Sequence, residues 1–486
     1  MVPENIKHFI RGRQARSSYA KTYSAADPAT GKEYSRVEIG LRADINQAVL
    51  AARAAFESGP WADMTALERA DVLDRIADGI ESRADEIADF EAIGAGLPVT
   101  QGREQTARAA EHFRVAAGAV RDSSVASADG REEFTLRRPL GVAGVIASWR
   151  TPFLGQARSL APALASGCTV VLAVDVWTPP SGALLPEIAT AAGVPTSVLN
   201  VVFGTGDWKG RGEVRNDTGD ALIAHPSVPL VSFAGDAAAA ERVTRDAATR
   251  GKQLSVGLIG NAPCVIFADA DLEQAVDSAL FGAFALNGGR RSATSRVLVE
   301  RPVYEDIISR LSARADRIRV GSPADPSTEI GALLHYDRIM SQVRLGIREG
   351  ARLAAGGRRP AGLAEGSYLA ATVLADVTPE MRIFSELISA PVLCVTPFDT
   401  EEEAASLASA VAGAPATGTP AAYLWTSDPE RAHRLAPAID AAAIWVNSHN
   451  AQDLRTPAGG DGLDFYTKSR TLRVPLDDGP APRFGD

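Results

Sequence analysis

The chain has little sulfur chemistry to offer. Its 486 residues include three cysteines, Cys168, Cys264 and Cys394. The number is odd and no two share a CxxC spacing, so neither a disulfide framework nor a zinc site is expected. Each lies in a short β-like run: Cys168 before Thr169-Val170-Val171, Cys264 before Val265-Ile266, Cys394 after Val392-Leu393. That placement marks small buried core residues. The six histidines are dispersed, with no metal-ligand spacing. No window approaches about 18 unbroken apolar residues, which argues against a membrane-spanning helix. Clustered positive charge is missing too. The formal charge is −10 and the 50 Lys and Arg are scattered, so nucleic acid is not an expected partner. Residues Met1 to Arg13 lack the apolar core of a signal peptide, and a reducing, cytoplasmic setting is expected.

What is present is ordinary globular material, 45% apolar and 23% charged. The length suits about three domains of roughly 150 residues, or two larger ones. Apolar β-branched runs alternate with Ala-rich helical runs. Val142 to Ala147, Thr169 to Val174 and Leu199 to Phe203 read as strands, with helices over Pro152 to Ala165 and Pro180 to Ala192. This rhythm predicts a parallel sheet covered by helices. Two long helical patterns precede it, Ile45 to Glu57 and Ala66 to Ile93. The alternation resumes over Cys264 to Phe267, Asp271 to Phe284, Ser295 to Val299 and Tyr304 to Ala315. The tail, Asp464 to Pro475, alternates like a strand.

At Arg137-Arg138-Pro139-Leu140-Gly141-Val142 the sequence begins to resemble the aldehyde dehydrogenase superfamily. The resemblance continues through Leu160-Ala161-Pro162-Ala163-Leu164-Ala165-Ser166-Gly167, Pro397-Phe398-Asp399-Thr400 and Trp445-Val446-Asn447. It covers nearly the whole chain. Asp453-Leu454-Arg455-Thr456-Pro457 is most similar to the branch that oxidises hydroxymuconic-type semialdehydes. The fold implied is an aldehyde-dehydrogenase-like α/β chain. A Rossmann-type domain would span residues 1–250, including oligomerisation strands at 122–138. A second α/β domain would span 251–440, and a return segment with an oligomerisation strand 441–486. A homodimer or homotetramer is the implied assembly.

In that family a Cys thiolate attacks the aldehyde, an Asn and a backbone N–H hold the oxyanion, NAD(P) takes the hydride and a Glu activates water. Matched position by position, the Cys falls on Arg291 and the Glu on Gly257, a spacing of 34 (291 minus 257) that keeps the alignment in register. The Asn, which follows a Trp in the family, falls on Arg150, after Trp149. A guanidinium has no lone pair for attack, and Gly257 has no side-chain acceptor. Ser292 is the nearest hydroxyl and has no evident base. The cofactor positions look eroded as well. The family's Lys-Pro-Ser-Glu reads Ala173-Val174-Asp175-Val176, and its Glu-Ile-Phe-Gly-Pro reads Leu387-Ile388-Ser389-Ala390-Pro391. Its Thr-Gly-Ser turn reads Ala234-Gly235-Asp236, placing negative charge near a pyrophosphate. Gly204-Thr205-Gly206 remains as a weak dinucleotide fingerprint, with an insertion over Trp208 to Thr218 after it.

These departures lead to the expectation of a homologue without thiol-based oxidation and without a bound cofactor, NAD(P) being a weak possibility. It would be a pseudoenzyme or scaffold, alone or with an active paralogue. The alternatives are a non-redox enzyme acting on a carboxylated small molecule, and an NAD(P)-dependent semialdehyde oxidoreductase. For the non-redox enzyme, Arg150, Arg290, Arg291, Arg455 and His449 are the candidate ligand-binding residues, with His449 as acid or base. In a different reading the arginines fill vacated space and pair with acids such as Asp236, Asp175 or Glu386.

Overall fold

The computed structural model describes residues 2–121, 131–175, 177–205, 217–258, 260–386, 388–410, 419–449 and 462–475. Two seven-stranded sheets and one two-stranded ribbon organise the site. In the first sheet, strands β1 (His8–Ile10) and β2 (Arg13–Ala15) flank five parallel strands. Helix α1 (Arg42–Ser58), then α2 (Ala66–Ser82), α3 (Ala84–Ala95) and α4 (Val99–Arg121) follow. After β3 (Arg131–Pro139) come β4 (Val142–Ile146), α5 (Pro152–Ser166), β5 (Thr169–Asp175), α6 (Pro179–Ala191) and β6 (Leu199–Thr205). The half closes with α7 (Asp217–Ala224), β7 (Leu230–Gly235), α8 (Ala237–Ala248) and β8 (Gln253–Leu258).

Every residue of β4 and β5 is buried, as a parallel strand with helices on both faces requires. Alternate residues of β5 feed opposite cores. Val170, Leu172 and Val174 join the cluster that includes Leu160 and Phe113, while Val171 and Ala173 join the one that includes Ile45 and Val231. Proline at the first turn of α5 and α6 starts each helix, and Gly167 closes α5 in the left-handed conformation. The expected single helix over Ala66 to Ile93 is two. Arg83 leaves helical geometry (φ −112, ψ 20), and its guanidinium pairs with Glu86 at 2.7 Å and Glu187 at 3.2 Å.

The strand order of this sheet is β8-β7-β4-β5-β6-β1-β2. The chain runs outward from β4 through β5 to β6, then returns to β7 on the other side of β4. The reversal point therefore lies between β4 and β7, which pair in parallel from Leu230↔Ala143 to Phe233↔Ile146. Beyond the carboxyl ends of two such strands a crevice opens, the usual ligand position in sheets of this kind.

The second sheet is built from β9 (Ala262–Ile266), β10 (Thr294–Glu300), β11 (Arg352–Ala355), β12 (Thr372–Ala375), β13 (Val392–Phe398), β14 (Ala422–Trp425) and β15 (Ile444–Val446). Its order is β11-β12-β13-β10-β9-β14-β15. Helices α9 (Leu272–Phe284), α10 (Tyr304–Ala315) and α11 (Tyr336–Glu349) belong to this half. The tail expected as one strand from Asp464 is a short helical turn at Leu463–Tyr466 followed by β16 (Thr467–Pro475). β16 pairs antiparallel with β3 from Thr467↔Pro139 to Pro475↔Arg131. Among the described residues, no helix is long and apolar enough to cross a membrane.

Candidate functional site

The turn between α9 and β10 is strained and firmly held. Leu286 (φ 55), Asn287 (φ 56) and Gly288 (φ 73) are successively left-handed. For the two non-glycine residues this conformation costs of order 1–3 kcal/mol each. Asn287 offsets it: its Nδ2 donates to the carbonyls of Gly96 at 2.9 Å and Ala332 at 3.0 Å, and its Oδ1 accepts from the Gly331 N–H at 2.8 Å. At Gly288 any Cβ would collide with the Ala390 carbonyl. The turn delivers Arg290 and Arg291.

These two arginines diverge. Arg291 donates from Nε to the Leu258 carbonyl at 3.2 Å, and its own carbonyl accepts from the Gly260 N–H at 2.7 Å. It thus sits at the carboxyl end of β8, beside Gly257. A side chain at Gly257 would meet ordinary contacts, the nearest being the Phe233 carbonyl at 3.5 Å. Arg290 turns instead to α9 and lies 4.5 Å from the Phe281 ring centroid. It is 7% exposed, and its Nη1 is buried without a hydrogen-bond partner. Burial lowers its pKa.

His449 also packs on α9. Its Nδ1 is 2.8 Å from the Ser278 hydroxyl, its ring stacks on Tyr423 at 4.3 Å, and it meets Phe281 edge-on at 5.3 Å. Burial, then the charge of Arg290, lowers its pKa to about 4. The neutral form of the ring therefore dominates at physiological pH.

Arg150 belongs to a third place, the crevice at the sheet's reversal point. It follows the end of β4 and Asp236 follows the end of β7. Arg150 is 9% exposed, lies over the Trp149 ring at 4.9 Å, and has a buried Nε with no partner. Burial lowers its pKa to about 10, Asp236 opposing that shift and Arg338 adding to it. Trp149 meets His335 edge-on at 5.0 Å, and His335 meets Trp177 at 4.6 Å. Neither Trp177 nor His335 was singled out by any sequence motif. Trp177 could have been suspected from its place two residues beyond a strand-ending Asp175, whereas His335 carries no local signal.

Arg150, Arg290 and Arg291 thus have different immediate partners, and of the acids offered to them Asp236 acts on Arg150 electrostatically. Asp236 caps α8, accepting from the Ala239 N–H at 2.9 Å. Asp175 accepts from the Trp177 N–H at 2.9 Å, and burial raises its pKa to about 7. Glu386 pairs with Arg382. Of the fingerprint residues, Gly204 (φ 132) backs onto the Gly40 N atom, a close approach that needs glycine. Ala173 is a buried residue of β5 paired with Val202. Val176, Gly206, Leu387 and Arg455 lie outside the described residues, as does most of the stretch from Trp208 to Thr218.

The three thiols are core residues. Cys168 donates toward the Tyr466 carbonyl at 3.4 Å and Cys394 toward that of Ile383 at 3.8 Å. Burial raises all three thiol pKa values, that of Cys394 to about 12.

The crevice suits a dinucleotide. Its location is the one that strand order prescribes. The unpartnered Nε of Arg150 is a buried cationic donor, and such a group is costly unless an anion such as a phosphate completes it. The Asp236 carboxylate opposes such an anion.

Comparison with known proteins identifies the family. The profile of the aldehyde dehydrogenase family matches residues 15–468. The 5-carboxymethyl-2-hydroxymuconate semialdehyde dehydrogenase of Escherichia coli is 37% identical over 94% of this chain and 96% of its own. The 2-hydroxymuconic semialdehyde dehydrogenase of Pseudomonas sp. (strain CF600) is 35% identical over 97% of this chain and 100% of its own. The NAD+ complex of an aldehyde dehydrogenase from Bacillus cereus superposes with a TM-score of 0.89 at 32% identity, over 98% of this chain and 97% of that one.

Two expectations are corrected by these findings. The expectation of a pseudoenzyme or scaffold without dinucleotide binding does not stand, nor does that of no cofactor. Relatives along nearly the full length are named as semialdehyde dehydrogenases, and a protein of the same fold holds NAD+. In sheets of this kind the dinucleotide position follows from strand order rather than from single side chains, and this chain has such a strand order. The resemblance to the hydroxymuconic-semialdehyde branch holds. The chain belongs to the aldehyde dehydrogenase family.

Proposed function

We propose that the chain is an NAD(P)-linked oxidoreductase that converts a carboxylate-bearing semialdehyde to the dicarboxylate. The overall change is the oxidation of an aldehyde with water to a carboxylate, with reduction of one NAD(P). The observation that carries this reading is the buried, unpartnered Arg150 Nε at the reversal-point crevice. The full-length similarity to two muconic-type semialdehyde dehydrogenases supports it.

In this reading Arg150 would help to hold the dinucleotide, which when bound would supply the hydride acceptor. Trp149, which packs against His335, gives the crevice a rigid apolar wall. Arg291, tied to the Leu258 carbonyl, closes the end of β8 against water. The nucleophile's role is assigned to no side chain, since the three thiols are core residues. The protein works in the cytoplasm, where its unpaired thiols stay reduced. Two or four copies assemble through the ribbon of β3 and β16, whose outer edges are open to further pairing.

The test is a calorimetric titration of the full chain with NAD, NADH, NADP and NADPH, repeated on Arg150→Met. The native chain binds at least one of them. The variant binds it about tenfold or more weakly, the loss of a charge-assisted hydrogen bond of roughly 1.5–3 kcal/mol. Equal affinity of the two proteins would remove Arg150 from the dinucleotide site.

A further inference from the structure

Against α9 pack two buried polar atoms that have no hydrogen-bond partner among the described residues. One is Nη1 of Arg290 and the other Nε2 of His449. Leaving such groups unpaired costs about 1–3 kcal/mol each, more when one is charged. Both residues pack on one ring. The Arg290 guanidinium lies 4.5 Å from the Phe281 centroid and the His449 ring 5.3 Å from it. Phe281 is 50% exposed, so the ring that both residues pack on borders solvent while the two donor atoms themselves are buried.

We propose that Arg290 Nη1 and His449 Nε2 form a two-donor subsite for the carboxylate at the non-reacting end of the substrate. The proposal rests on the reading of the chain as an oxidoreductase of carboxylated semialdehydes, and it names the residues that would select them. Four observations support it. His449 is fixed: Ser278 engages its Nδ1 at 2.8 Å and Tyr423 stacks on it with rings 6° from parallel. A Ser278 hydroxyl donating to Nδ1 leaves the proton of the neutral ring on Nε2, which makes that atom a donor. Among the described residues no carboxylate forms an ion pair with Arg290, while Glu104 and Arg108 on α4 act on it with opposite sign. A carboxylate has two oxygens, one for each donor, and its charge would complete the buried guanidinium. The exposed Phe281 would carry the chain between the two ends of the substrate.

The experiment titrates the full-length chain with adipate, hexanoate and inorganic phosphate at fixed ionic strength, and in parallel with NADH and NADPH. Arg290→Met and His449→Phe are treated in the same way, with melting temperature recorded. The native chain is expected to bind adipate more tightly than phosphate. Arg290→Met should weaken adipate about tenfold or more and His449→Phe several-fold, while both variants keep native affinity for the reduced dinucleotide. In the native chain, adipate should also raise the titration midpoint of the His449 ring followed by NMR, a readout that survives if a variant fails to fold. Native-like adipate binding by both variants overturns the subsite. So does an unmoved His449 midpoint, or phosphate binding tighter than adipate. Adipate binding that the variants lose, in a chain that binds no dinucleotide, supports the subsite and instead overturns the oxidoreductase reading.

Discussion

Arg150 and Asp236 face one another across the reversal point of the first sheet, one beyond β4 and the other beyond β7. The charge of Asp236 acts on Arg150 and partly offsets the effect of burial. Asp236 is also the N-cap of α8. The same carboxylate thus stabilises a helix and competes with any phosphate for the arginine. Asp236→Asn separates the two effects, because Asn caps about as well as Asp. Its melting temperature should stay near native while affinity for NADH or NADPH rises several-fold. Asp236→Ala should lose about 1 kcal/mol of stability. Weaker dinucleotide binding in Asp236→Asn would show that the carboxylate helps to hold the ligand.

The turn that carries Arg290 and Arg291 depends on Gly288, which is left-handed and abuts the Ala390 carbonyl. Gly288→Ala adds both strain and a clash with backbone. A loss of about 1–3 kcal/mol or more in urea unfolding is expected. An unchanged midpoint would mean that the turn relaxes freely.

Asp175 gives a pH signature. Burial raises its pKa to about 7 in the folded chain, against about 3.9 when unfolded. A group raised on folding binds more protons in the native state, so its contribution is fully present below about pH 4 and is lost as pH rises toward about 7. The span is on the order of 4 kcal/mol. Glu91, buried and raised to about 7, acts in the same sense, and His8, lowered to about 4, in the opposite one. The difference between native protein and Asp175→Asn isolates the one group. Between pH 5 and 8 the native chain should lose stability relative to the variant, as read by melting temperature (the pH window follows from the linkage above). A variant that tracks the native chain would place Asp175 in contact with water.

The three cysteines are buried and their thiol pKa values are raised. Iodoacetamide at neutral pH should label the folded protein slowly and the urea-unfolded protein at all three positions. Rapid labelling of one cysteine in the folded state would identify a thiol able to reach the site, and with it a nucleophile.

The fold was legible where composition and topology coincide. The fully apolar runs at Val142 and Thr169 announced buried parallel strands, and the residues at Pro152 and Gly167 marked the helix between them. The break at Arg83 was not legible: no glycine or proline marks it, and one of the partners of Arg83, Glu187, lies more than a hundred residues away. At the site, the sequence placed Arg290 and Arg291 side by side and suggested that both point into one cavity. Beyond the left-handed turn at Leu286 to Gly288 the two have different partners, Phe281 for one and the Leu258 carbonyl for the other, and no local pattern encodes that. His449 was found by its neighbours in sequence, but its partners Ser278 and Tyr423 come from α9 and β14. Replaced side chains at the cofactor positions are visible in sequence, whereas a ligand position set by strand order is not.

The most direct measurement is turnover. Full-length protein is mixed with NAD or NADP and a dicarboxylic semialdehyde, and reduced nicotinamide and carboxylate product are quantified together. The account predicts equal amounts of the two, with turnover slowed in Arg150→Met. No reduced nicotinamide under conditions where an active semialdehyde dehydrogenase of the family produces it would contradict the account.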